Sequence, residues 1–244
     1  MVTQYRQPVQ ALILAGGMGT RLGPLTAGTP KPLLDVGGLP FINYLLWNLK
    51  RNGIRDIIVS VGYLAREIIT VLTDGSDLGI RLTYSIETEP LGTGGALKLA
   101  QNLLDEAFFV LNGDTLFDID YADLGFCLTS DVCVALALRE VEDTSRYGRV
   151  LLDEGRVMHF SEKNLPGQGY VNGGVYAMRK RVLDRIPPGR ASLETDLFPD
   201  LAGRNHLGAR VYHGFFLDIG LPLTYKEAQT VIPGWKDSMI RVKE

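Results

Sequence analysis

The apolar run Val9-Gln10-Ala11-Leu12-Ile13-Leu14 opens directly onto Ala15-Gly16-Gly17-Met18-Gly19-Thr20-Arg21-Leu22, with Pro30-Lys31-Pro32 a few residues on. A short apolar strand that ends in a glycine-rich turn is the opening of an α/β sheet with a ligand loop at the strand's C-terminal end. Three glycines in four residues let the backbone turn tightly and approach a ligand with no Cβ in the way. Successive free N–H groups in such a loop form a concave site for phosphate oxygens. Arg21 adds a charged fork and Lys31 a point charge. With two cations and no acid, the loop suits a polyphosphate.

The spacing separates it from two common look-alikes. A dinucleotide fingerprint needs G-x-G-x-x-G, and Leu22 stands where the third glycine belongs. A dehydrogenase is disfavoured on that ground. A P-loop needs G-x-x-x-x-G-K-[ST], and no lysine follows a glycine at that spacing.

Strand-like and helix-like segments alternate through the first half, which argues for a mixed, mostly parallel Rossmann-like sheet flanked by helices. Ile42, Leu45, Leu46 and Leu49 repeat at i, i+3, i+4 and i+7, so a helix runs from Phe41 to Asn52 and closes at Gly53. Strands follow at 56–61, 82–86 and 108–111, with helices at 65–72 and 93–102. Asn112-Gly113-Asp114 then falls at the C-terminal end of a strand, the edge where the glycine loop also lies. From about residue 131 the pattern changes to strands with fewer helices. The chain therefore divides into halves at about 9–130 and 131–232, and Pro233 begins a polar tail, 233–244.

A net charge of −3 without blocks of like charge argues against nucleic acid or an anionic membrane as a partner. No apolar run approaches the ~20 residues needed to span a bilayer. Cys127 and Cys133 form no metal motif and suit a reducing compartment. Residues 1–10 lack the apolar core of a signal peptide, so the cytoplasm is the expected location. His159, His206 and His213 are scattered, and no Ser, Cys or His stands in an activation motif.

The stretch Gly16-Gly17-Met18-Gly19-Thr20-Arg21-Leu22-Gly23-Pro24-Leu25-Thr26, with Pro30-Lys31-Pro32, resembles the signature of the sugar-phosphate nucleotidylyltransferases. Glu89-Pro90-Leu91-Gly92-Thr93-Gly94-Gly95-Ala96, Leu111-Asn112-Gly113-Asp114-Thr115, Phe160-Ser161-Glu162-Lys163, Val171-Asn172-Gly173-Gly174-Val175-Tyr176 and Leu217-Asp218-Ile219-Gly220 resemble further blocks of that family, in its order. Within it, Tyr84 to Ala96, Phe117-Asp118-Ile119-Asp120, Arg146-Tyr147-Gly148 and Phe216 to Gly220 are most similar to the D-glycero-α-D-manno-heptose 1-phosphate guanylyltransferases.

The resemblance implies transfer of a nucleotidyl group from GTP to a sugar 1-phosphate, with release of pyrophosphate and without a protein nucleophile. Mannose 1-phosphate is the nearest alternative sugar. A non-catalytic sensor of sugar nucleotides is the alternative of another class. The resemblance makes the first half the nucleotide half and the second the sugar-phosphate half. It implies Mg²⁺ on Asp114 and Asp218, which offer the oxygen ligands that cation prefers. It places Arg21 on the β- and γ-phosphates and Lys31 beside the α- or sugar phosphate. The nucleotide would lie on Leu14, Ala15, Gly16, Gly17, Met18, Gly19, Thr20 and Arg21, with Glu89, Pro90, Gly92 and Thr93 around the base. The sugar phosphate would lie on Asn112, Asp114, Gly148, Glu162, Lys163 and Asn172. The family usually has proline after the lysine, and this chain has Asn164. Asp118 and Asp120 read as a turn and a helix start.

Overall fold

The computed structural model describes residues 7–161 and 166–241. Its thirteen strands among those residues are β1 (Gln10–Leu14), β2 (Asp35–Val36), β3 (Leu39–Pro40), β4 (Asp56–Val61), β5 (Arg81–Ile86), β6 (Ala107–Asn112), β7 (Thr115–Phe117), β8 (Val134–Val141), β9 (Arg149–Asp153), β10 (Arg156–Phe160), β11 (Gly169–Arg179), β12 (Leu207–Tyr212) and β13 (Phe216–Asp218). Nine of them form one sheet in the order β5-β4-β1-β6-β11-β8-β12-β10-β9. The first four run parallel. β11 then enters antiparallel between β6 and β8. The sheet is therefore mixed, its parallel part lying mainly in the first half. β9 also pairs with β11, so the last five strands close on themselves and leave that end of the sheet without a free edge.

Helix α1 (Phe41–Arg51) buries Ile42, Leu45, Leu46 and Leu49 on one face, as its period requires. Each such side chain contributes about 1.5–3 kcal/mol on leaving water. Lys50 and Arg51 sit in the last turn, where the helix dipole favours cations. Helices α2 (Ala65–Leu72), α3 (Gly92–Leu99), α4 (Tyr121–Phe126) and α5 (Phe198–Gly203) complete the layers with α6 (Pro222–Arg241). Asp120 caps α4 by accepting from the Asp123 amide, as its reading as a helix start implies.

A π-helical turn, Leu193–Leu197, leads directly into α5. One sequence expectation changes. The expected polar tail from Pro233 is instead the second half of α6, which runs to Arg241. A proline inside a helix costs about 3 kcal/mol. Packing of Trp235 offsets that cost. It is buried, stacks on Phe215 at 5.3 Å and meets Trp47 edge-on at 5.4 Å. The Arg51 guanidinium lies over both tryptophans and pairs with Asp118.

The glycines at the start of α3 have a packing reason. The segment from Gly189 to Ala191 lies directly on that turn: Gly94 and Gly95 donate their amides to the Ala191 carbonyl, at 2.9 and 3.2 Å. A Cβ on Gly95 would stand 2.3 Å from the Gly189 carbonyl oxygen. Gly95→Ala is expected to lower stability by about 1–3 kcal/mol, the usual cost of overpacking. Urea denaturation would read it, and an unchanged midpoint would refute the packing account.

Candidate active site

A cavity of about 410 Å³ opens at the C-terminal ends of β1 and β6. Leu14, Ala15, Gly16, Gly17, Met18, Gly19, Thr20 and Arg21 form one wall, with Lys31 beside them. Pro90, Gly92 and Thr93 line another part, and Asn112 and Asp114 the floor at the end of β6. Asn112 Oδ1 is buried with no hydrogen-bond partner among the described residues.

The two aspartates come together through β7 and β13. That antiparallel pair sets Asp218 opposite Thr115, and the Ile219 amide donates to the Asp114 carbonyl at 2.9 Å. Lys31 Nζ lies 2.5 Å from Asp114 Oδ2. The Thr115 hydroxyl donates to Asp114 Oδ1 at 3.2 Å. Asp218 Oδ1 accepts the Gly220 amide at 3.0 Å, and Oδ2 accepts the Tyr147 hydroxyl at the same distance. Burial first, then the Asp218 carboxylate, pushes the Tyr147 hydroxyl up to about 12, so it stays a donor at neutral pH. A Cβ built on Gly220 would lie 2.8 Å from Asp218 Oδ1 and 3.5 Å from both Arg21 Nη2 and Lys31 Nζ. Both carboxylates and both predicted cations thus meet at one point.

The donor chemistry there fits a hard divalent cation. It is all oxygen, and no cluster of three or more His, Cys, Asp or Glu side chains suited to a metal occurs among the described residues. Mg²⁺ needs only one or two carboxylates where phosphate oxygens and waters complete its shell.

Other expected residues fall elsewhere. Glu89 is exposed and does not line the cavity. Gly148 and Asn172 do not line it either. The Asn172 amide is engaged in a β-bulge of β11: its Oδ1 accepts the Gly174 amide and its Nδ2 donates to the Tyr176 hydroxyl. The bulge therefore accounts for its side chain, which was expected at the sugar phosphate. The Thr93 hydroxyl donates to Glu194 at 2.8 Å and accepts the Leu193 amide, tying the two halves together. Glu162 and Lys163 lie outside the described residues.

Two charged cavity residues escaped the sequence reading. Arg190 lines it and, like Arg21, pairs with no described carboxylate. Glu87, at the end of β5, also lines it. Its Oε1 lies 2.3 Å from where a Cβ on Gly16 would stand, so Gly16 is what gives this carboxylate its place under the loop. Glu87 accepts from the Leu91 amide at 3.1 Å and the Ser60 hydroxyl at 3.3 Å. Burial raises its pKa above the usual carboxylate range against those two hydrogen bonds. It lies within the Tyr84 to Ala96 stretch that resembles the family, but the resemblance gave it no role, and a lone glutamate at a strand end otherwise looks like any surface residue.

The family model described as nucleotidyl transferase matches residues 10–233. The chain is 38% identical over 222 residues to a D-glycero-alpha-D-manno-heptose 1-phosphate guanylyltransferase of Campylobacter jejuni, covering 89% of this chain and 97% of that protein. It is 37% identical over 222 residues to a mannose-1-phosphate guanyltransferase of Yarrowia lipolytica, covering 88% of this chain but 61% of that longer protein. The crystal structure of HddC from Yersinia pseudotuberculosis in complex with GMP-PN superposes with a TM-score of 0.81 at 34% identity, covering 91% of this chain and 98% of that one.

Proposed function

The chain belongs to the nucleotidyl transferase family, and on that premise we propose that it joins GTP to D-glycero-α-D-manno-heptose 1-phosphate, giving GDP-heptose and pyrophosphate. The observation that carries the reading is the convergence of Asp114, Asp218, Lys31 and Arg21 at the mouth of the glycine loop. It is the apparatus of a phosphoryl transfer that works by positioning and charge stabilisation. An oxygen of the sugar phosphate attacks the α-phosphorus, the bond to the β-phosphate oxygen breaks, and pyrophosphate leaves.

The loop amides and Arg21 hold the β- and γ-phosphates, and Arg21 gains most as charge builds on the leaving group. Arg190 adds a further cation to the same cavity. Lys31, held by Asp114, fixes the phosphate on the opposite side. Asp114 and Asp218 would hold a divalent cation such as Mg²⁺, which would supply neutralisation of the phosphate oxygens. Lys163 and Glu162 are proposed for the sugar phosphate on the family resemblance alone.

The likeness to the Campylobacter enzyme over almost its full length favours the heptose. The likeness to mannose-1-phosphate enzymes keeps mannose as the alternative sugar. A heptose carries one more hydroxymethylene than mannose. A pocket that merely has room for it discriminates about 10–200-fold, and one that bonds the hydroxyl discriminates further. The deciding experiment is kcat/KM for both sugar 1-phosphates with GTP, UTP and dTTP, read by pyrophosphate release. The expected order places heptose above mannose and GTP above the pyrimidine triphosphates. A higher value for mannose 1-phosphate overturns the sugar, and a preference for UTP or dTTP overturns the base.

A further inference from the structure

The loop between β8 and β9 reaches over to touch Asp218 at the end of β13, and the nucleotide-binding motifs do not account for that contact. Thr144 is fully buried and anchors the loop. Its amide and hydroxyl both donate to the Gly167 carbonyl, at 3.0 and 3.1 Å. Its own carbonyl accepts the Tyr147 amide at 2.9 Å. Asp143 ties the same turn from the other side through Ser145. Tyr147 is therefore delivered by a braced turn rather than by a loose surface segment.

The Asp218 carboxylate is held at both oxygens from two directions. The Gly220 amide fixes Oδ1, and the Tyr147 hydroxyl fixes Oδ2, each at 3.0 Å. The next cation, Arg146, stands 3.9 Å from Oδ2, beyond hydrogen-bond length. Without the tyrosine hydroxyl the carboxylate would keep one anchor and be free to rotate about it. A carboxylate oxygen has two lone pairs, so it can accept the hydroxyl and still offer an electron pair elsewhere.

We propose that Tyr147 is a positioning residue for Asp218: its hydroxyl fixes the plane of that carboxylate so that it faces Asp114 as a ready ligand for a divalent cation. The proposal rests on the reading of Asp114 and Asp218 as the metal-holding pair and deepens it. Partners that orient a metal-ligating carboxylate are typically worth 10–100-fold in metal affinity.

The test is direct Mn²⁺ binding, followed by electron paramagnetic resonance, to the full-length protein with a non-hydrolysable GTP analogue present. Wild type, Tyr147→Phe and Asp218→Asn are compared, with melting temperature and KM for the sugar phosphate measured alongside. Tyr147→Phe is expected to weaken Mn²⁺ about tenfold, with melting temperature and sugar-phosphate KM nearly unchanged. Asp218→Asn is expected to weaken it further. If Tyr147→Phe leaves Mn²⁺ affinity intact while Asp218→Asn removes it, the positioning role fails and the metal pair stands. If Tyr147→Phe instead raises only the KM for the sugar phosphate, the hydroxyl serves that substrate and the proposal is overturned. If Asp218→Asn leaves Mn²⁺ binding unchanged, the metal pair fails and the positioning role fails with it.

Discussion

Asp218→Asn is expected to reduce turnover by on the order of 10²-fold or more while the protein remains folded. The asparagine keeps the shape of the side chain and can still accept the Gly220 amide, so β13 and its pairing with β7 should persist. What is lost is one of the two negative charges available to hold a divalent cation among the phosphates. Asp114→Asn should cost a similar factor in turnover but also lower stability. Lys31 is only 8% exposed, and its ammonium group relies on Asp114 Oδ2 at 2.5 Å. Removing the charge leaves a largely buried cation without its counterpart, which is far costlier than losing a surface pair. Pyrophosphate release across an Mg²⁺ titration, with thermal melts, separates the two effects. Full activity in EDTA, or in both asparagine variants, would remove the carboxylate pair from the mechanism.

The parts of the molecule that were legible in the sequence are those whose signal is local. β1 and its glycine loop could be read because a buried strand must be apolar and a loop against phosphate must lack side chains. α1 could be read because Ile42, Leu45, Leu46 and Leu49 keep the helical period. The meeting of Asp114 and Asp218 was reached only through the family resemblance, since the β7–β13 ladder that joins them links segments far apart in the chain. Pro233 misled because local propensity ends a helix there, whereas the burial of Trp235 against Trp47 and Phe215 carries α6 onward. The resemblance put Gly92 around the base, and Gly94 and Gly95 read as part of a helix. Their tight contact with the Gly189 to Ala191 segment is a tertiary demand that no local pattern reveals. Glu87 was missed for the same reason: its partner is Gly16, on another strand end.

Glu87→Gln is expected to lower kcat/KM for GTP by on the order of 10- to 100-fold, the usual worth of hydrogen bonds to a charged group, and to narrow the preference for GTP over UTP. The argument starts from the donor count. An ionised carboxylate is acceptor-only. Guanine alone among the common bases presents two adjacent donors on its pairing edge, the ring N1–H and the exocyclic amino group. Uracil and thymine present one N–H flanked by carbonyl oxygens, which would face the carboxylate with like partial charge. Glu87 lines the cavity beneath Gly16 and accepts only from Leu91 and Ser60 among the described residues, so it retains acceptor capacity there. Burial raises its pKa, so ionised Glu87 is under-satisfied in the free protein and gains from a base that brings two donors. The sign of the pH effect follows. Binding guanine needs the ionised form, so KM for GTP should rise as pH falls, and at a higher pH than an ordinary carboxylate would produce. ITP, which lacks the exocyclic amino group, supplies the control. Wild type should use it less well than GTP, and Glu87→Gln should shrink that gap. A Glu87→Gln enzyme with unaltered GTP-to-UTP and GTP-to-ITP ratios would show that the base is read elsewhere in the cavity.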